Sequence, residues 1–394
     1  MSTSWNGQQQ PPRAPVPVAG VRTDLPVPGR TGHAATVVRV VIIVAAAWLL
    51  LFLALHLPTS IAAVSAIVSL VPLALCLLGL RWVDRWDPEP SNLVWTALLW
   101  GAAPAVGLAL LWESVASPLA MSMDNSGWLE LSVAPVAEEV TKGIGVLILV
   151  WVARKYFHGP VDGVVYGGLI GAGFAFTENI LYFASAVSES PASLVATFVG
   201  RGLFSPFAHV LFTAWTGAAV GWALERGSSR GGIFGAWLLG LIPAIGAHFL
   251  WNALASGALG VDFLPGYALT QVPFFLAAIL TCVLLVRREQ RLTASSLRAY
   301  AAAGWYSPDE LAFLCTPRGR REAMRWAGAR GGRPQMRRVM RNADALSVIH
   351  QRIVRSPHDP ELVAQQRELL SQSMTAREGV RAAAAPGPGG WTAA

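Results

Sequence analysis

Leu131-Ser-Val-Ala-Pro-Val-Ala-Glu-Glu-Val-Thr-Lys-Gly-Ile-Gly-Val-Leu-Ile-Leu-Val150 has the length and apolar content of a membrane span, yet holds two adjacent carboxylates and an amine. A span needs about 20 mainly apolar residues. A charged side chain in the bilayer core costs ~2.5 kcal/mol or more. Glu138 and Glu139 in succession, with Lys142 one turn later, are therefore hard to account for as packing. The next three apolar stretches carry Glu178 and Asn179, then His209, then His248 with Asn252. Four consecutive spans thus hold groups suited to proton transfer or metal ligation. The pattern points to a water-activating site inside the membrane.

Composition sets the class. Hydrophobic residues make up 54% of the chain, charged residues only 13%, and mean hydropathy is +0.47. A soluble domain usually has about a quarter of its residues charged. The expected fold is all-α, a polytopic membrane helical bundle of about eight transmembrane helices with a cytoplasmic helical C-terminal tail. The spans run approximately over 40–57, 60–80, 93–117, 131–152, 161–187, 195–224, 233–259 and 266–286.

The connecting loops alternate in charge. Arg13, Arg22, Arg30 and Arg39 precede the first span, and Arg81 and Arg85 follow the second. Arg154 and Lys155 follow the fourth, Arg226 and Arg230 the sixth, and Arg287, Arg288 and Arg291 the eighth. The intervening loops, around Pro58, Asp124, Glu189 and Asp262, lack Lys and Arg. The positive-inside rule then puts both termini in the cytoplasm of a multi-pass plasma-membrane protein.

Residues 1–35, rich in Pro, Gly, Gln and Ser, read as a disordered cytoplasmic tail without a signal peptide. Residues 36–286 form the transmembrane core, 287–380 a basic cytoplasmic helical region, and 381–394 a disordered tail. Within the basic region, 292–303, 308–327 and 344–377 have helical composition. The net charge of +7 does not indicate nucleic acid, because a basic juxtamembrane segment more often reads anionic lipid headgroups. Cys76, Cys282 and Cys315 are widely spaced and offer neither a Cys-x-x-Cys motif nor a disulfide framework. No internal repeat, GxGxxG or phosphate loop is present.

Helical rise and chain direction locate the polar groups in depth. Each set falls roughly two turns from the outer surface, at 1.5 Å per residue. Spacing adds faces, since residues three or four apart are neighbours. Lys142 is within reach of both Glu138 and Glu139, Phe174 shares a face with Glu178, Ser205 with His209, and His248 with Asn252. Gly167, Gly168, Gly171 and Gly173 favour close helix approach, which makes span five central. Arg201 reads as an interfacial anchor, and Phe174 and Trp251 as packing. Peptide hydrolysis needs a base, an acid for the leaving amine and donors for the oxyanion. Paired buried carboxylates suit the base, with Glu139 slightly preferred. His209 and His248 with a carboxylate, Glu178, instead make a ligand set for a metal such as Zn2+.

The same residues resemble the PrsW family of bacterial intramembrane proteases. The motifs stand here as Glu138-Glu139-Val-Thr-Lys142, Phe174-Ala-Phe-Thr-Glu178-Asn179, His209, and His248-Phe-Leu-Trp-Asn252. Asp84-Arg-Trp-Asp-Pro-Glu-Pro90 is similar to a further family segment. The resemblance covers about 81–252 and implies the helical membrane fold of the CAAX-prenyl-protease and bacteriocin-processing superfamily. It also implies cleavage of membrane-anchored substrates such as anti-sigma factors. It leaves open whether a metal takes part, because relatives include glutamate-dependent enzymes. Two rival readings are a proton-coupled transporter using the Glu/His cluster and an inactive scaffold of the same fold. The common depth of the polar groups and the lack of an inverted repeat disfavour the transporter.

Overall fold

The computed structural model describes residues 33–384 apart from 87, 124–126 and 358, and leaves the side chains of 130 and 155 undescribed. The terminal tails expected at 1–35 and 381–394 lie outside these residues except for 33–35, which begin the first helix, and 381–384, which end the last. Arg13, Arg22, Arg30 and Asp124 of the orientation reading also lie outside them.

The described chain is helical, with no strand. The membrane part comprises α1 (His33–His56), α2 (Thr59–Val83), α3 (Ser91–Trp100), α4 (Val106–Met123), α5 (Trp128–Ala153), α6 (Pro160–Glu189), α7 (Pro191–Phe198), α8 (Ala208–Glu225), α9 (Arg230–Ala255) and α10 (Phe263–Ala302). A π-helical turn, Gly101–Ala105, joins α3 to α4, and another, Val199–Phe204, follows α7. Seven helical stretches among the described residues are long and apolar enough to cross a membrane. The expected eighth, α5, is a 26-residue helix with Glu138, Glu139 and Lys142 at its middle. Three charged side chains within one apolar stretch, not a lack of apolar residues, set it apart from the other seven. The chain is a multi-pass membrane protein.

Helix α6 is the centre of this unit, as its glycines predict, with 83% of its most apolar stretch buried. A Cβ at Gly163 would lie 2.0 Å from the Gly217 carbonyl oxygen of α8, and one at Gly171 would lie 2.3 Å from the His209 carbonyl oxygen. Only a missing side chain permits that approach, so van der Waals contact between backbones holds α6 to α8 where lipid gives no hydrophobic drive.

Span six departs from expectation. It is not one helix over 195–224. After α7 the chain takes the π-helical turn, and Ser205 bonds back to the Gly200 carbonyl through both its N–H, at 3.0 Å, and its hydroxyl, at 2.9 Å. Regular helix resumes only at Ala208. Such interruptions often mark functional positions. This one puts His209 in the first turn of α8.

Among the described residues the second unit runs from Val286 to Ala384. It contains the end of α10, then α11 (Pro308–Leu314), α12 (Pro317–Gly328), α13 (Arg333–Arg355) and α14 (Pro360–Ala384). Helix 292–303 is not separate, because α10 continues unbroken to Ala302. The expected helix 308–327 splits at Thr316, whose hydroxyl caps α12 ahead of Pro317. The expected helix 344–377 splits before Pro360. Proline favours the first helical position, where its missing N–H costs nothing. The unit has its own core, including Leu297, Tyr300, Leu314, Met336, Leu346 and Val380.

Candidate active site

Four helices bring their polar groups to one place. On α5, Lys142 is three residues from Glu139 and four from Glu138, so helical spacing lets one ammonium reach both carboxylates. Its Nζ donates to Glu139 Oε1 at 2.6 Å and to Glu138 Oε2 at 3.3 Å. Lys142 and Glu139 have no exposed surface. The ammonium also lies 3.1 Å from His209 Nδ1 on α8 and 4.2 Å from the centre of the Phe174 ring on α6.

Glu139 has both oxygens engaged. Besides Lys142, Oε1 is 3.0 Å from His248 Nδ1 on α9, and Oε2 accepts from the Thr213 hydroxyl at 3.1 Å. Glu138 is held less tightly. Its Oε2 lies 3.7 Å from His209 Nδ1 and 3.8 Å from His248 Nε2. The two imidazoles stand at 88° with ring centres 5.1 Å apart, and Phe212 stacks on His248 at 5.0 Å.

Glu178 and Asn179 of α6 form a second layer. Glu178 Oε2 accepts from His209 Nε2 at 2.7 Å and pairs with Arg201. Arg201 Nε also donates to Asn179 Oδ1 at 2.7 Å, and its guanidinium lies 3.9 Å from the Tyr182 ring centre. Arg201 is thus no interfacial anchor; buried carboxylate and amide partners hold it inward. Ala175, Asn179, Arg201, Ser205, His209 and Trp251 border a small cleft.

Of the residues expected at the site, Glu138, Glu139, Lys142, Glu178, His209 and His248 contact one another, and Asn179 joins through Arg201. Asn252, one turn beyond His248, is half-buried and has no side-chain hydrogen bond among the described residues. Glu138, His209 and His248 each offer an atom within 4.8 Å of the others, a group able to hold a metal ion. Glu138 rather than Glu178 takes the third place beside the histidines, since Glu178 is turned to His209 Nε2 and Arg201.

Three participants escaped the sequence reading. Thr213 lies one turn after His209 and shares its face, which the i, i+4 spacing could have disclosed. Phe174, read as packing, lies against the Lys142 ammonium. Glu113 of α4, a lone carboxylate in an apolar run, is close enough to Glu138 and Glu178 for their charges to interact.

Residues 89–278 match the family described as PrsW family intramembrane metalloprotease. A protein called Protease PrsW from Clostridioides difficile (strain 630) is 28% identical over 153 residues, which cover 38% of this chain and 62% of that protein. Another Protease PrsW, from Geobacillus kaustophilus (strain HTA426), is 31% identical over 135 residues, which cover 34% of this chain and 55% of that protein. The chain therefore spans less than two thirds of the length of either relative. No solved structure matches it. The matched stretch contains every residue of the buried cluster, and over it the chain is similar to the PrsW family.

Proposed function

We propose that the chain is an intramembrane endopeptidase that hydrolyses a peptide bond of membrane-anchored protein substrates. The observation that carries this reading is the buried group of Glu138, His209 and His248, enclosed by Glu139, Lys142 and Glu178. Glu138 is the base. Its contacts to both histidines exceed 3.5 Å, which leaves an oxygen able to accept a proton from water and return it to the leaving amine. Glu139 is the organiser, with three donors fixed on it, which revises the preference for Glu139 as base. Lys142 steadies the carboxylate pair. With Lys142 donating to His209 Nδ1, the ring proton sits on Nε2 and goes to Glu178, which Arg201 holds in turn. The unpartnered Asn252 amide is available to the scissile carbonyl.

Two imidazoles and a carboxylate, with no thiolate, fit a catalytic Zn2+ that keeps a position for water. Glu138, His209 and His248 would hold it, Glu138 then serving as a ligand in place of a base and His209 giving up one of its present partners, and the ion would acidify water and polarise the carbonyl. Lys142 favours a second reading. Its ammonium already touches Glu138 and His209, so the chain itself balances the carboxylate charge and the same groups can activate water without an ion.

The loop charges support cytoplasmic termini and a site in the outer half of the bilayer, and the family resemblance supports anti-sigma factors as substrates. A substrate helix must unwind to present its carbonyl, which is cheapest near its end. Cleavage is expected in the outer juxtamembrane region of a single-span substrate. The test compares membrane proteomes of cells carrying wild type and Glu138→Gln, with mass spectrometry of fragment ends. A protein shortened only in the wild-type cells is the expected result. Identical proteomes would sink the protease reading, and a cut on the cytoplasmic side of the span would overturn the orientation.

A further inference from the structure

The second unit has a pronounced charge imbalance. From Val286 to Ala384 the chain has eighteen arginines, no lysine and nine carboxylates, whereas the rest of the chain is net negative. The excess is concentrated on two helices. Arg321 and Arg325 are exposed on α12, whose Ala323 and Ala327 are buried. Arg333, Arg337, Arg338 and Arg341 are exposed on α13, whose Met336, Val339 and Met340 are buried. None of these six has an ion-pair partner among the described residues. Glu322, the carboxylate nearest in sequence, is taken by Arg318 at 2.9 Å. The two helices are locked together beneath. Buried Arg320 donates to the Leu314 carbonyl at 2.8 Å and grips buried Asp344 of α13 with both terminal nitrogens, one at 2.8 Å. The six guanidiniums thus stand on a fixed support, and within the chain only the Glu322 charge beside Arg321 and Arg325 offsets part of their mutual repulsion.

We propose that this arginine surface of α12 and α13 binds the phosphate groups of an anionic phospholipid bilayer. Guanidinium forks match phosphate oxygens, donating to two at once where an ammonium meets one. The unit begins directly where the last apolar run ends, without a linker. Tethering to a bilayer raises the effective concentration of headgroups at this surface far above that of any free partner. Single-stranded nucleic acid would need aromatic platforms for its bases. The aromatic of α12, Trp326, is half-buried, and the Arg330 guanidinium covers it at 4.8 Å.

Arginine footprinting of the full chain tests this. The protein is placed in nanodiscs of phosphatidylcholine alone or with phosphatidylglycerol, treated with phenylglyoxal and mapped by mass spectrometry. In the anionic discs, modification of the six arginines should slow on the order of five-fold. High salt should remove the protection, because a surface interaction is screened. Exposed Arg367 and Arg381 on α14 provide the comparison, and buried Arg320, unmodified in both discs, reports the intact fold. Equal modification in the two discs with Arg320 still protected would overturn the proposal. So would protection that arises on adding DNA to neutral discs and not from anionic lipid.

Discussion

At the residue scale, Glu138 and Glu139 differ in how many donors they satisfy. Glu138→Gln keeps the shape and a polar contact for Lys142 while removing the proton acceptor. It should accumulate in membranes near the wild-type level and lose cleavage by about 100-fold or more, the usual worth of a general base. Immunoblotting of membranes together with a substrate-processing assay checks both halves. Glu139→Gln removes the closest counter-charge of a fully buried ammonium, and breaking one side of a buried pair costs roughly 3–5 kcal/mol. This variant should be depleted in membranes and unfold at lower temperature, as well as being inactive. Normal abundance and thermal stability for Glu139→Gln would mean that Glu138 alone can hold Lys142. Adding Lys142→Met to it should restore abundance and leave activity lost, because that removes the stranded charge without supplying chemistry.

At the element scale, the site depends on how closely α6 approaches α8. Gly171 faces the carbonyl of His209 itself, so a side chain there moves a proposed ligand and not only a packing surface. Gly171→Val should destabilise the protein by roughly 1–3 kcal/mol through overpacking and lower activity further than the loss of stability explains. Gly235 on α9, where an added Cβ meets nothing within 4 Å, provides the control. Gly235→Ala should leave thermal unfolding and cleavage unchanged. Wild-type activity in Gly171→Val would show that α8 can shift without disturbing His209. The break between α7 and α8 serves the same end. Backbone released from regular helix at Ser205 lets α8 start afresh, and His209 enters the cluster from its first turn.

At the scale of the whole molecule, the candidate metal ligands come from three separate helices, α5, α8 and α9. An ion bound there would tie them together, and a ligand that binds only the folded state raises its stability. Purified active protein should contain zinc near one ion per chain. Chelation should lower the unfolding temperature and the activity together, and added zinc should restore both. Full activity in protein free of stoichiometric transition metal would rule out the zinc version and leave the Lys142-balanced cluster as the working site.

The class of the protein, the sequence of its helices and most of its buried cluster were legible in the chain, because lipid makes local composition decisive. A long apolar run has few alternatives to a spanning helix, and a carboxylate or imidazole inside such a run must find a partner. Glu138, Glu139, Lys142, Glu178, His209 and His248 stand out for that reason. The prolines at 317 and 360 were equally visible as helix starts, and composition alone obscured them. What only the tertiary structure decided is which way each side chain turns and what it meets. Arg201 at a span end has the signature of an anchor until Glu178 and Asn179 lie beside it. Asn252 shares a face with His248 on paper, yet it makes no hydrogen bond within the cluster. Glu138 and Glu178 are interchangeable carboxylates in a motif, and only the packing of α5, α6 and α8 turns one to both histidines and the other to Arg201. Helical spacing gives relative positions within one helix. The rotation of one helix against another is set by contacts between residues distant in sequence, here the glycines of α6 against the backbone of α8.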